Sequence, residues 1–287
     1  MDLIYKSTRN NQETATASEA ILKGLAGEGG LFVPSYIPKL DKSLKELSAM
    51  SYQEVAYEVM KLFMTDFTEE ELKHCINSAY DKKFDTESIA ELVKKEDAYY
   101  LELFHGATIA FKDMALSILP YLMTTSAKKN HVKNEIVILT ATSGDTGKAA
   151  LAGFADVPGT KIIVFYPKHG VSPIQEKQMV TQRGDNTYVI GIEGNFDDAQ
   201  TGVKKMFSDV ALAQEMNEAG YQILPQTLSI LAVLFHRLYT MFTATQHYWH
   251  VERFPKENRS TLLFQQETLE TSSQHPMQKR WVSRLRS

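Results

Sequence analysis

The feature that most constrains the fold of this chain is an alternation of short apolar runs with amphipathic stretches, from about residue 97 to residue 224. EIVILT and KIIVFYP are typical of the short β-type runs. Strands are predicted at 98–104, 135–140, 161–166, 186–192 and from 221, and helices at 112–127, 147–155, 173–183, 199–207 and 210–219. This alternation predicts an α/β fold in which helices cover both faces of a parallel sheet.

The segment before this alternation is mostly helical in pattern. Helices are predicted from a cap at Ser18 to the glycines after Leu25, and at 52–64, 69–80 and 86–94. After residue 224 the pattern changes again, because residues 225–287 contain no Gly and no Asp. We therefore divide the chain into an N-terminal helical module (1–90), a partial α/β domain (91–224) and a C-terminal tail (225–287).

Composition excludes several classes of function. The net charge of −4 gives no basis for nucleic-acid binding, and no apolar run is long enough to cross a membrane. The first residues lack the apolar core of a secretory signal, and Cys75 is the single cysteine, so a cytoplasmic location is expected. Because HExxH and CxxC motifs are absent, no metal site is predicted.

Lys112 is the first candidate for chemistry. It lies in LFHGATIAFKDMA, where a predicted strand gives way to a predicted helix among apolar neighbours. A lysine condenses with an aldehyde only as the neutral amine, and desolvation favours that form. The alternative is a surface lysine at a helix start, which would be the usual reading of an FKD sequence alone. The flanking His105 and Asp113 suit either acid–base or structural roles.

The second candidate is the loop from Ser143 through Gly144, Asp145 and Thr146 to Gly147, between a predicted strand and a predicted helix. Small residues let backbone N–H groups approach an anion, and the helix dipole adds to the attraction. An ordinary strand–helix turn capped by Asp145 or Thr146 is the alternative. A Walker A loop is excluded, because Ala149 follows Gly147-Lys148 and Thr142 occupies the first glycine position.

Together, these motifs resemble the threonine synthases, which are fold type II pyridoxal phosphate enzymes with a tryptophan synthase β-like fold. The resemblance extends upstream through STR (7–9) and EAILKGLAGEGGLFVP (19–34). It extends downstream through GVSPIQEKQM (170–179), TQRGDN and GIEGNFDDAQ. Ala107 departs from the family, which usually has Pro at that position.

The resemblance implies a function for each candidate. Lys112 would bind pyridoxal 5'-phosphate covalently and later move protons. Ser143, Gly144, Asp145, Thr146 and Gly147 would face the cofactor and the anionic groups of the substrate, with Asp145 where fold type II relatives often have Asn. The implied reaction converts O-phospho-L-homoserine and water to L-threonine and phosphate.

The tail departs from the family, and a shift of reading frame accounts for this. The family continues with a basic NIGRL segment and a GNFGN loop that holds the cofactor phosphate. When codon boundaries are moved by one base, residues 228–237 are compatible with INIGRLVPQ, and residues 260–279 with NVVVPTGNFGNILAASYAK. We therefore predict a single-base frameshift near residues 224–225, a sheet incomplete at its C-terminal end, no native-like packing of residues 225–287 and poor cofactor binding.

Two alternatives remain open from the sequence. One is a catalytically inactive fragment that lacks the cofactor-phosphate loop. The other is a different fold type II lyase, related to threonine dehydratase or cysteine synthase. The long N-terminal module and the FKD sequence at Lys112 favour threonine synthase.

Overall fold

A computed structural model describes residues 2–96 and 98–224 of the chain, so the predictions for residues 225–287 lie outside the described part. The first sheet is three-stranded and antiparallel, and it consists of β1 (Tyr5–Ser7), β2 (Thr14–Ala15) and β3 (Phe32–Pro34). The order of its strands is β2-β1-β3. Four helices accompany it, namely α1 (Ala17–Lys23), α2 (Leu44–Leu47), α3 (Tyr52–Phe63) and α4 (Glu69–Ala79).

Local capping sets the start of the first long helices. Ser51 and Thr68 form capping boxes at the N-termini of α3 and α4, and both helices lie where the apolar periodicity predicts them. The cap predicted for α1 is wrong. Thr16 caps this helix, and the buried Ser18 instead accepts a hydrogen bond from Asn130 with its hydroxyl.

The predicted helix at 86–94 is also wrong. Ile89 has φ of 61°, which interrupts a right-handed helix, and β4 (Glu91–Lys95) follows it. This strand pairs antiparallel with β5 (Ala98–Glu102), and Glu96, with φ of 53°, lies in the tight connection between them. The predicted strand 98–104 therefore belongs to a two-stranded hairpin and not to the parallel sheet.

A parallel sheet, as the alternation of strands and helices predicts, is formed by β6 (Glu135–Ala141), β7 (Thr160–Pro167), β8 (Thr187–Ile192) and β9 (Tyr221–Leu224). The order of its strands is β8-β7-β6-β9. The helices of this region are α5 (Asp113–Leu116), α6 (Leu119–Lys129), α7 (Asp145–Phe154), α8 (Pro173–Val180), α9 (Phe196–Ser208) and α10 (Val210–Glu218).

Alternate residues of β6 enter two different cores. Ile136 and Ile138 pack with α6, α7 and the N-terminal helices, whereas Val137 and Leu139 pack against Ala199 and other residues of α9. Both faces of the sheet are therefore covered, as predicted.

The helix predicted at 112–127 is divided into α5 and α6. Pro120 lacks the N–H group that an unbroken helix would require at this position. It is tolerated in the first turn of α6, where that group would have no helical acceptor. In the parts of the chain that are described, no helix combines the length and the apolar character needed to cross a bilayer.

Candidate active site

Lys112 lies immediately before α5, in right-handed helical conformation with φ of −68° and ψ of −22°. Its side chain is half-buried, and its ammonium nitrogen lies 4.3 Å from the centroid of the Phe111 ring. The aromatic face therefore forms one wall of the lysine's surroundings and interacts favourably with the charged form.

The loop that leads to Lys112 is held by the buried carboxylate of Asp113. Thr108 donates to this carboxylate twice, with its backbone N–H at 2.8 Å and its hydroxyl at 2.5 Å. Gly106 is required at the start of the loop, because a Cβ atom there would lie 2.5 Å from the Cβ of Asp113. Of the two roles open to Asp113, the structure therefore shows the structural one.

The β6–α7 loop is held together by Thr142, which the sequence motif does not identify as a site residue. The hydroxyl of Thr142 accepts hydrogen bonds from the backbone N–H groups of Gly144, at 3.0 Å, and Gly147, at 2.8 Å. Gly144 has φ of 138°, a conformation that a side chain at this position would strain.

The hydrogen bonds to Thr142 also determine which backbone N–H groups of the loop remain available to other acceptors. Because the N–H groups of Gly144 and Gly147 bind Thr142, those of Asp145 and Thr146 are the donors that the first turn of α7 offers. Ser143 at the tip of the loop is exposed. The loop therefore offers backbone N–H donors at a helix N-terminus, where the positive end of the helix dipole favours negative charge.

Asp145 is the acidic member of this loop, and two side chains hold it. Gln175 of α8 donates to its Oδ1 atom at 2.8 Å, and the ammonium of Lys148 lies 3.1 Å from the same atom. Burial raises the pKa of Asp145, but the hydrogen bonds from Gln175 and Lys148 and the charges of Lys148 and Lys112 outweigh this effect and lower it. Asp145 is therefore ionised at neutral pH.

The structure brings Lys112 and the Ser143–Gly147 loop to one region. Helix α5 packs against α7 so closely that a Cβ atom at Gly153 would lie 2.2 Å from the carbonyl oxygen of Leu116. Helix α8 joins the two loops, since Gln175 binds Asp145 while Gln178 donates to the carbonyl oxygen of Thr108 at 3.3 Å. The amide positions in GVSPIQEKQM were not recognised as site residues from the sequence.

His105, which precedes Lys112 in the same motif, lies between two carboxylates. Its Nδ1 atom lies 2.6 Å from Oδ1 of Asp85, and its Nε2 atom lies 3.2 Å from Oε2 of Glu102. Glu91, opposite Glu102 in the hairpin, brings a third group to the cluster, and one ligand atom of each of Glu91, Glu102 and His105 lies within 4.8 Å of the others. Since both ring nitrogens are already engaged, this cluster is a hydrogen-bonded tie between β5 and the segment at Asp85.

This tie makes the stability of the protein dependent on pH. Burial lowers the pKa of His105, but the hydrogen bonds and charges of Asp85 and Glu102 outweigh it and raise the pKa above its usual value. The stabilising contribution is therefore fully present below the unfolded value of about 6.5 and is lost as pH rises through the folded value. We expect His105→Gln to reduce the pH-dependent part of the free energy of unfolding, by less than about 1 kcal/mol.

Urea unfolding of the unsubstituted chain and of the His105→Gln variant, at about pH 6 and about pH 8, tests this expectation. His105 is expected to account for part of the difference in the free energy of unfolding between the two pH values, so this difference should be smaller in the variant. His169→Gln, at an exposed histidine, is the matched control and should behave as the unsubstituted chain. An unchanged difference in the His105 variant would contradict the assignment.

Known proteins resemble this chain in both sequence and structure. The family described as "Threonine synthase N terminus" matches residues 4–80. The threonine synthase of Eremothecium gossypii is 37% identical over 261 residues, which cover 85% of this chain and 51% of that protein. The threonine synthase of Saccharomyces cerevisiae is 34% identical over 258 residues, which cover 84% of this chain and 50% of that protein.

The likeness extends to solved structures. The pyridoxal phosphate-bound threonine synthase of Brucella melitensis superposes with a TM-score of 0.76 at 32% identity, covering 86% of this chain and 52% of that one. The described part therefore has the α/β fold found in these enzymes, and the chain spans about half the length of the relatives it matches.

Proposed function

We propose that this chain, which is related to the threonine synthases in sequence and fold, carries the lysine-bearing part of a threonine synthase active site. The reaction is the conversion of O-phospho-L-homoserine and water to L-threonine and phosphate, with pyridoxal 5'-phosphate as cofactor. The observation that carries the proposal is the packing of α5, which begins directly after Lys112, against α7, whose N-terminus offers the N–H groups of Asp145 and Thr146.

The described residues fit the lysine side of such a site. Lys112 would be the amine that holds the cofactor aldehyde, and its side chain would carry protons to and from the substrate carbons. The N–H groups of Asp145 and Thr146 offer donors to anionic groups, while Gly144 lets the loop backbone approach closely. When bound, pyridoxal phosphate supplies an electron sink for carbanions next to its ring.

The division of the chain belongs to the same proposal. We assign residues 1–90 to the N-terminal module, 91–224 to the partial cofactor domain and 225–287 to an out-of-frame tail. The single cysteine, Cys75, is a buried free thiol, which supports a cytoplasmic enzyme.

We propose, second and more narrowly, that a frameshift alters this particular chain. The compatibility of residues 228–237 and 260–279 with the family's missing segments supports a single-base change near residues 224–225. The loop GNFGN, which would hold the cofactor phosphate, is then encoded in the unused frame. On this second proposal the chain as written would be the catalytically inactive fragment, and the frame-restored protein would be the threonine synthase.

A comparison of the chain as written with the frame-restored protein tests the proposed function. We expect the chain as written to release no phosphate from O-phospho-L-homoserine above the buffer rate, and the frame-restored protein to release phosphate and L-threonine in equal amounts. Resequencing the gene at the codons for residues 224–225 is the parallel check. Activity of the chain as written would overturn the fragment assignment. Ammonia release from L-threonine by the restored protein, without phosphate release, would favour a dehydratase instead.

A further inference from the structure

Helix α8 contacts both loops of the candidate site through polar side chains and has little apolar packing of its own. Met179 is its buried residue in the described structure, whereas Ile174 and Val180 are 73% and 51% exposed. Glu176 ties the helix to the sheet by accepting a hydrogen bond from the hydroxyl of Tyr166 at 2.8 Å. Since most helices in proteins are stabilised by packing of an apolar face, the position of α8 depends strongly on its hydrogen bonds.

Gln175 holds the β6–α7 loop from α8. Its amide N–H donates to Oδ1 of Asp145 at 2.8 Å. Its side chain also fills the space beside Gly144, where a Cβ atom would lie 2.4 Å from the amide carbon of Gln175. The amide oxygen of Gln175 accepts the backbone N–H of Ser172 at 3.2 Å, within the capping box of α8. The orientation of Gln175 is therefore fixed by its own helix, and its N–H group is directed to the loop.

Gln178, three residues later on the same helix, contacts the loop that carries Lys112. Residues 106–112 are called the lysine loop below. The amide N–H of Gln178 donates to the carbonyl oxygen of Thr108 at 3.3 Å. Thr108 in turn donates its backbone N–H and its hydroxyl to the buried carboxylate of Asp113, at the start of α5. The contact with Gln178 therefore acts on a loop that is itself rigidly joined to the helix after Lys112.

The amide oxygen of Gln178 indicates that this side chain adds little to the overall stability. The oxygen is buried and accepts no hydrogen bond within the described structure. A buried acceptor without a donor costs free energy, and an apolar side chain of the same length would avoid this cost. The contribution of Gln178 that can be identified is therefore local, namely the contact that places the lysine loop.

We propose that α8 is the positioning element of the site, in which Gln175 places the β6–α7 loop and Gln178 places the lysine loop. Because both side chains extend from one helix, the two loops keep one position relative to each other and loosen together. The consequence for catalysis rests on the proposed function, whereas the link between the loops rests on the hydrogen bonds. Both glutamines act through the loops and are positioning residues.

Hydrogen exchange of the full chain as written tests this link without cofactor or substrate. Mass spectrometry follows the peptides that cover 105–114 and 142–150. We expect Gln178→Met to speed the exchange of peptide 105–114 by about threefold to tenfold, since one hydrogen bond is lost. The exchange of peptide 142–150 should rise by at least about twofold through α8. The free energy of unfolding in urea should be unchanged or higher, because the unpaired oxygen is removed as well.

A second variant separates the contact of Gln175 with the loop from the capping of its helix. Gln175→Glu keeps an oxygen for the N–H of Ser172, since glutamate suits this position of a capping box, but it places a carboxylate against that of Asp145. We expect faster exchange in peptide 142–150 and, to a smaller extent, in peptide 105–114. Adding Asp145→Asn restores a donor–acceptor pair and should return both rates towards those of the unsubstituted chain.

Gln182→Met is the matched control, because the amide of Gln182 donates to the carbonyl oxygen of the adjacent Arg183 at 2.8 Å and contacts neither loop by a hydrogen bond. Both peptides should exchange as in the unsubstituted chain. Peptides from α3 and α4 should keep their rates in every variant, since a change there would report general destabilisation.

Three results would overturn the proposal. They are an unchanged exchange of peptide 105–114 in Gln178→Met, an effect of each variant on its own loop alone, and an equal change in the peptides of α3 and α4. Failure of the proposed function gives a different result. If the frame-restored protein takes up no pyridoxal phosphate while exchange follows the expected pattern, the enzyme assignment is wrong and the link through α8 stands.

Discussion

Replacing Lys112 by alanine in the frame-restored protein is expected to abolish the visible absorption of covalently bound pyridoxal phosphate and to reduce phosphate release by on the order of 10³-fold or more. The reason is that the variant loses both the amine that binds the cofactor aldehyde and the group that transfers protons at the substrate. Absorption spectra after cofactor addition and a phosphate-release assay with O-phospho-L-homoserine measure the two effects.

Lys161→Ala is the matched control for this result. Lys161 is also a lysine of the α/β domain, but it lies on β7 in an ion pair with Glu135. Its loss should leave absorption and turnover within about twofold, since surface ion pairs contribute little to stability. A Lys112 variant that keeps the absorption band would show that another amine binds the cofactor.

Replacing Asp113 by alanine is expected to lower the free energy of unfolding by about 2–4 kcal/mol. Asp113 is 2% exposed, and its carboxylate accepts the backbone N–H and the hydroxyl of Thr108 and the backbone N–H of Ala110, so its removal leaves three buried donors without this acceptor. Urea unfolding followed by far-UV circular dichroism measures the change.

Two substitutions serve as controls for Asp113. Asp113→Asn keeps an oxygen acceptor and the shape of the side chain, so its cost should be smaller than that of alanine. Asp41→Ala, at an exposed aspartate, should change the free energy of unfolding by no more than about 0.5 kcal/mol. If Asp113→Ala and Asp41→Ala had equal effects, the loop would be held by other contacts.

The elements predicted most accurately are those with local causes. The helices α3 and α4 lie within one residue of their predicted ends, because capping boxes and apolar periodicity act within a few residues of sequence. The strands β6 and β7 are predicted for a related reason, since buried strands of a parallel sheet are continuous apolar runs.

The errors in the fold arise where partner choice or one residue overrides the pattern. The segment 86–94 contains apolar residues at helical spacing, but β5 is adjacent and offers a strand for β4 to pair with. Helix propensity is a weak preference that such a contact outweighs. In 112–127 the apolar pattern is continuous, but Pro120 cannot donate the backbone hydrogen bond that an unbroken helix would need at that position.

For the site, the amino-acid sequence determined which residues are chemically suitable. Lys112 is a lysine among apolar neighbours, and Ser143–Gly147 is a small-residue loop before a helix, and both properties are visible within a dozen residues. Only the tertiary structure decided which groups meet. The roles of Thr142, Lys148 and Gln175 depend on side-chain direction and on contacts between helices distant in sequence. Hydrogen bonds and ion pairs act over a few ångströms of space, so no spacing along the chain reveals them.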